Sequence, residues 1–190
     1  TPWAIGTVDG WAPPSLDPVS PEGDRAAEMR CSLTEPSTEM PAMRGTFPGN
    51  LAHFESDAID HGPNGATIML TASAMGDRPF RSGALSSARR FLHGRFEIEM
   101  RAAHGEGVVT GFFLHRSAPR QEIDIEIIGN KPSKILLNVY FNPGNEGTEL
   151  DYGYRGSPCA IELGFDASAE FHRYAIEWLP DRIRWFVDDT

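Results

Sequence analysis

The run Glu122-Ile123-Asp124-Ile125-Glu126-Ile127-Ile128-Gly129 alternates carboxylates with isoleucines. A strand sends alternate side chains to opposite faces, whereas a helix spreads the same residues around its axis. Isoleucine is β-branched, and its stiff χ1 favours the extended chain. The run therefore predicts a strand over 121–128. Ile123, Ile125 and Ile127 are buried on one side of it, and Glu122, Asp124 and Glu126 share the other. No Lys or Arg interrupts the row. Like charges on one face raise the pKa of at least one member. Carboxyls whose pKa values are driven apart are what acid–base chemistry on a sugar requires. The wet face of an antiparallel sheet gives the same alternation. By itself the run reads equally as a solvated strand face or as a catalytic or calcium-binding row.

From residue 51 onward the chain reads as strand after strand. Ala66–Ala72 follows the turn signal Gly62-Pro63-Asn64-Gly65. Arg95–Arg101 alternates with Phe96, Ile98 and Met100 inward. Gly107–Leu114 is nearly all apolar and predicts a central strand buried on both faces. Ile135–Phe141 follows the acidic run, and Phe171–Trp178 and Arg182–Val187 meet at the hairpin signal Pro180-Asp181. No long helical period appears after residue 50. Short strands at this spacing indicate an all-β sandwich of two antiparallel sheets, whose concave outer face makes a cleft.

A chain of 190 residues suits one domain with a sizeable core. The expected organisation is one catalytic domain over 1–190. Residues 1–50 form its irregular part, broken by Pro13, Pro14, Pro18, Pro21, Pro36, Pro41 and Pro48. Trp3, Trp11, Met40, Met43 and Phe47 are expected to anchor that part on a core. The net charge of −10 disfavours nucleic acid and anionic membranes as partners. No apolar run reaches the length of a membrane span. Cys31 and Cys159 lie far apart and form no zinc-type cluster. They read as buried free thiols or as one disulfide of a secreted protein.

Several further segments flank the acidic row in order. They are Ser82-Gly83, His93-Gly94-Arg95-Phe96-Glu97, Gly107-Val-Val-Thr-Gly-Phe-Phe113, Leu163-Gly-Phe-Asp-Ala-Ser168, Phe171-His-Arg-Tyr174 and Trp185-Phe-Val-Asp188. With Glu122-Ile-Asp-Ile-Glu126 among them, residues 80–190 resemble glycoside hydrolase family 16. The likeness is to its lichenase-like endo-β-1,3-1,4-glucanases, with the ExDxE signature lacking the extra bulge residue of laminarinase-like members. The resemblance implies a jelly roll and a retaining hydrolase of β-glucan-type polysaccharide. Glu122 is then the nucleophile, Glu126 the general acid/base, and Asp124 the supporting residue between them. It also implies Asn138 and Tyr140 beside the acids, with His115 and Arg120 at substrate subsites; Tyr140 reads otherwise as a core residue, and Phe91 either lines the groove or closes the core. His93 falls at the rim. A transglycosylase and a non-catalytic carbohydrate-binding jelly roll are the alternatives.

Three departures from the lichenase pattern concern the substrate. Ala84 replaces an acidic residue after Ser82-Gly83, Arg120 replaces a Trp before the acidic row, and His115 replaces an aromatic after Phe112-Phe113. Arg89, Arg90, Arg116 and Arg120 suggest an anionic polysaccharide such as a succinoglycan-type exopolysaccharide, or else are solvated or paired residues. Catalysis needs no cofactor. The resemblance implies one structural calcium, for which Gly45 is the only ligand that can be named here, and a secreted or periplasmic location. The strand Arg182–Val187 reads as one awaiting a returning partner. A second polypeptide, or a segment outside the given sequence, is therefore expected to complete the jelly roll.

Overall fold

The computed structural model describes residues 29–117, 120–140 and 158–190. They group into two compact units divided between Leu92 and His93. Trp3 and Trp11 lie outside the described residues. No helix among those described is long and apolar enough to cross a membrane.

The unit before residue 93 carries four short strands. β1 (Ala52–Phe54) pairs in parallel with β4 (Phe80–Ser82). β2 (Ile59–Gly62) and β3 (Gly65–Ile68) form an antiparallel hairpin around Pro63-Asn64. Gly65 closes that turn at φ +112°, where an L side chain is strained. The expected strand 66–72 stops at Ile68, and Ile68, Met69 and Leu70 are exposed. Met43 and Phe47 are likewise exposed rather than anchored in a core.

The unit from residue 93 holds two antiparallel sheets. In the first, β10 (His172–Leu179) lies between β5 (Gly94–Met100) and β11 (Arg182–Val187). Pro180-Asp181 turns β10 into β11, and among the described residues β11 pairs only with β10. The second sheet runs β6 (Val109–Ser117), β7 (Arg120–Ile128), β8 (Lys134–Tyr140) and β9 (Cys159–Glu162). Both sheets turn their inner faces into one cluster. Ile123, Ile125, Ile127, Ile135 and Leu137 pack there with Met100, Tyr174 and Ile176, against Trp178, Ile183 and Trp185. The even spacing of these residues along each strand makes this a sandwich.

β6 departs from its expected place. It is an edge strand among the described residues, and Val109 and Phe113 are 53% and 46% exposed. Phe112 and Leu114 alone of its large apolar residues join the core. An all-apolar strand hides which face is wet, because both parities look alike in sequence. Both cysteines are unbridged and half-buried rather than buried.

Candidate active site

β7 supplies the centre of the site. Antiparallel register sets His115 opposite Glu122, Phe113 opposite Asp124, and Gly111 opposite Glu126 on the β6 side. On the β8 side the partners are Tyr140, Asn138 and Leu136 respectively. Directly opposed residues point to the same face. The three acids thus form the middle row of a three-by-three patch, with His115 and Tyr140 flanking Glu122. The isoleucines between the acids fix this orientation. Ile125 and Ile127 are fully buried, and slipping the register by one residue would exchange them for carboxylates.

The acids differ in environment. Asp124 is only 3% exposed, and its neighbour Asn138 is also buried. The Asn138 Oδ1 accepts no hydrogen bond among the described residues, so the patch keeps an acceptor for a hydroxyl. From the other sheet, Trp185 donates its Nε1–H to the Asp124 main-chain carbonyl at 3.1 Å. This bond crosses the core and pins the middle of the acidic strand. Glu126 titrates above the ordinary carboxyl range, first because burial desolvates its anion and second because of the Glu122 charge. The row therefore contains one carboxyl biased to keep its proton and a second within electrostatic reach. That combination suits proton donation to a leaving oxygen paired with attack by an anion.

Asn138, Tyr140 and His115 all fall beside the acidic row, as read from the sequence. Phe113, which the apolar run 107–114 assigns to the core, belongs to this face instead. Its exposed ring lies across from Asp124 and meets His115 edge-on, with ring centroids 6.5 Å apart. The exposed parity of β6 was the signal that its apolar composition concealed. Arg120 pairs through its backbone with Ser117, while its side chain lies outside the described residues. Phe91 is exposed in the unit before residue 93. His93 packs edge-on against Trp178, with centroids 4.9 Å apart.

Arg89 is paired with Glu39 at 2.7 Å. Arg116 stands opposite Gln121, so strand alternation puts it on the isoleucine side of the sheet.

The model of glycosyl hydrolases family 16 matches residues 51–190. The chain belongs to glycosyl hydrolases family 16. This family 16 chain is 33% identical over 129 residues to a beta-glucanase of Paenibacillus polymyxa, covering 66% of the chain and 50% of that protein. It is 36% identical over 130 residues to a beta-glucanase of Acetivibrio thermocellus, covering 66% and 36%. The chain thus spans half or less of the length of these two relatives. Among solved structures, the Bacillus licheniformis beta-glucanase superposes with a TM-score of 0.67 at 27% identity, covering 84% of this chain and 72% of that one. A native glycosidic hydrolase superposes with a TM-score of 0.71 at 27% identity, covering 84% and 71%. The sandwich is accordingly a family 16 jelly roll.

The described residues of this family 16 chain do not complete a calcium site. Gly45 sits at φ +103° and its carbonyl accepts the Phe54 N–H at 2.6 Å. No group of three or more His, Cys, Asp or Glu side chains able to hold a metal gathers among the described residues. Calcium prefers six to eight oxygens, and Gly45 offers one that is already engaged.

Proposed function

We propose that the chain is a retaining endo-hydrolase of β-1,3-1,4-glucan, working with Glu122, Asp124 and Glu126. The observation that carries this is the register that sets Glu122, Asp124 and Glu126 in one row on a face bordered by Tyr140, Asn138 and Phe113, with the Glu126 pKa raised by burial and by the Glu122 charge. The beta-glucanase relatives support the substrate class.

In the first step Glu126 gives its proton to the glycosidic oxygen while a Glu122 oxygen attacks C1. The leaving sugar departs as an alcohol and a glycosyl ester forms on Glu122. In the second, Glu126 takes a proton from water as that water attacks C1, and Glu122 is released as carboxylate. Two inversions give net retention. Glu122 and Glu126 are four residues apart, roughly 13 Å along an ideal strand. Retention needs the carboxyls about 5–5.5 Å apart, so both side chains must lean over Asp124 when substrate is bound. Asp124, buried and backbone-anchored, orients them. The exposed Phe113 ring and the half-buried Tyr140 ring offer stacking surfaces for sugar faces.

No cofactor takes part in these steps. A calcium at Gly45 belongs to this proposal only as a structural ion. The same reading has the chain act outside the cytoplasm, secreted or periplasmic, where such polysaccharides are met.

The test is hydrolysis of mixed-linkage glucan by Glu122→Gln and Glu126→Gln. Each is expected to lose about 10²-fold or more in kcat while the fold stays intact, with a melting temperature no lower than that of wild type. Wild-type turnover by Glu126→Gln would refute the assignment. Products carrying new linkages in place of reducing ends would show sugar transfer instead.

A further inference from the structure

A second surface of the same unit has the makings of a sugar site. A cavity of about 320 Å³ is lined by Glu99, Phe171, His172, Arg173, Asp188 and Asp189. Small-ligand sites typically occupy about 300–1,000 Å³. Ile98, Met100, Tyr174 and Ile176 point into the core. The intervening Glu99 and Arg173, paired across β5 and β10, therefore face outward from that sheet. The acidic row faces outward from the other sheet, so the core separates the two surfaces.

The cavity wall is held in place. Asp188 and Asp189 sit in left-handed turn geometry at φ +48° and +66°. The Asp188 N–H is bonded to the Arg173 carbonyl at 2.9 Å. Asp188 accepts from His172 Nδ1 at 2.7 Å and from the Arg173 N–H at 3.0 Å. Asp189 accepts from Arg95 and Arg173, both at 3.2 Å. Two lining groups stay uncommitted to this network. The Glu99 side chain makes no hydrogen bond or ion pair among the described residues, and the Phe171 ring is 56% exposed. The Arg101 guanidinium lies 5.4 Å from the centroid of that ring.

An exposed aromatic face beside fixed planar hydrogen-bonding groups is a sugar-recognition arrangement: the ring meets C–H groups and the carboxylates accept from hydroxyls. Asp188 and Asp189 are matched by His172, Arg95 and Arg173, so the site has no unmatched run of cations to draw in an anionic polymer and suits an uncharged one. We infer that the cavity at Phe171 is a non-catalytic docking site for a neutral polysaccharide, holding the chain on its polymer while the acidic row cuts. The choice of a β-glucan as ligand rests on the proposed function.

The test is affinity electrophoresis through mixed-linkage glucan, with Glu122→Gln as the background so that the gel is not digested. Phe171→Ala is expected to weaken retention about fivefold or more. Glu99→Gln, which leaves the ring in place, is expected to weaken it less. In the wild-type background, Phe171→Ala should leave turnover of a short chromogenic oligosaccharide unchanged and raise KM on the polymer. Retention of both variants equal to that of the background protein would overturn the inference. So would Phe171-dependent retention in an acidic exopolysaccharide gel but not in a neutral one. Absence of hydrolysis by the wild-type protein would instead count against the cleft assignment, because Phe171-dependent retention is read without cutting.

Discussion

Gly129 ends the acidic strand, and replacing it with alanine is expected to damage both stability and activity. A β-carbon built there falls 2.6 Å from the Gly105 carbonyl oxygen, 2.8 Å from that of Ala103 and 2.9 Å from the Gly105 nitrogen. All three are backbone atoms, so no side-chain rotation relieves the clash. Overpacking costs about 1–3 kcal/mol. The shift also strains two main-chain bonds, Gly129 N–H to the Val108 carbonyl at 2.8 Å and Gly105 N–H to the Gly129 carbonyl at 3.1 Å. Losing one of these adds about 1 kcal/mol. A total near 3 kcal/mol corresponds to a fall in Tm of about 6–12 °C for a chain of this size. Gly107→Ala is the control: it has φ +76° and nothing within 4 Å of the added carbon. Only backbone strain applies there, about 1 kcal/mol. Differential scanning calorimetry measures both, and glucan hydrolysis reports whether Glu126, three residues upstream, has moved. Equal Tm values for Gly129→Ala and wild type, or equal losses in both variants, would refute the packing argument.

The raised pKa of Glu126 has a signature in stability. The native state holds this proton more tightly than the unfolded chain, so wild-type stability falls as pH rises from the ordinary value of 4.5 through the raised one. Glu126→Gln cannot ionise. Its Tm is expected to exceed that of wild type above this window and to lose the excess below it; a Tm difference constant from about pH 4 to about pH 8 would contradict this. Tyr174 is fully buried, with a hydroxyl that finds no partner among the described residues and a pKa pushed up to about 12 by burial and then by the Asp188 charge. Tyr174→Phe should therefore stabilise by about 1 kcal/mol in guanidinium unfolding, and a loss of stability would reveal a hidden partner. If a structural calcium is held at Gly45, chelation with EDTA lowers Tm without changing the retained stereochemistry of the product; an unchanged Tm removes calcium from the proposal.

The parts of this molecule that were legible in sequence are those where one strand face is apolar and the other is not. The Ile/Glu alternation placed β7 and its buried face correctly, and Pro180-Asp181 located the β10–β11 turn. β6 failed because its exposed face carries Val109 and Phe113, apolar residues that look like core. Phe113 lies beside the acids, on the face that the proposed cleft uses. β9 went unseen because four residues of mixed polarity carry too little pattern. The pairing of β1 with β4 depends on contacts between segments more than twenty residues apart, which no local period records. Arg116 was grouped with Arg89 and Arg120 by charge alone, and only the register shows that it faces the other way.

The Trp185 indole bonded to the Asp124 carbonyl gives the core a built-in exchange clock. Its proton is held by a bond that spans the two sheets, and the partly buried ring packs against the cluster. An opening that parts the sheets breaks this bond, and that same opening releases the backbone beneath the acidic row. Indole hydrogen exchange at Trp185 and loss of the site should then proceed as one event.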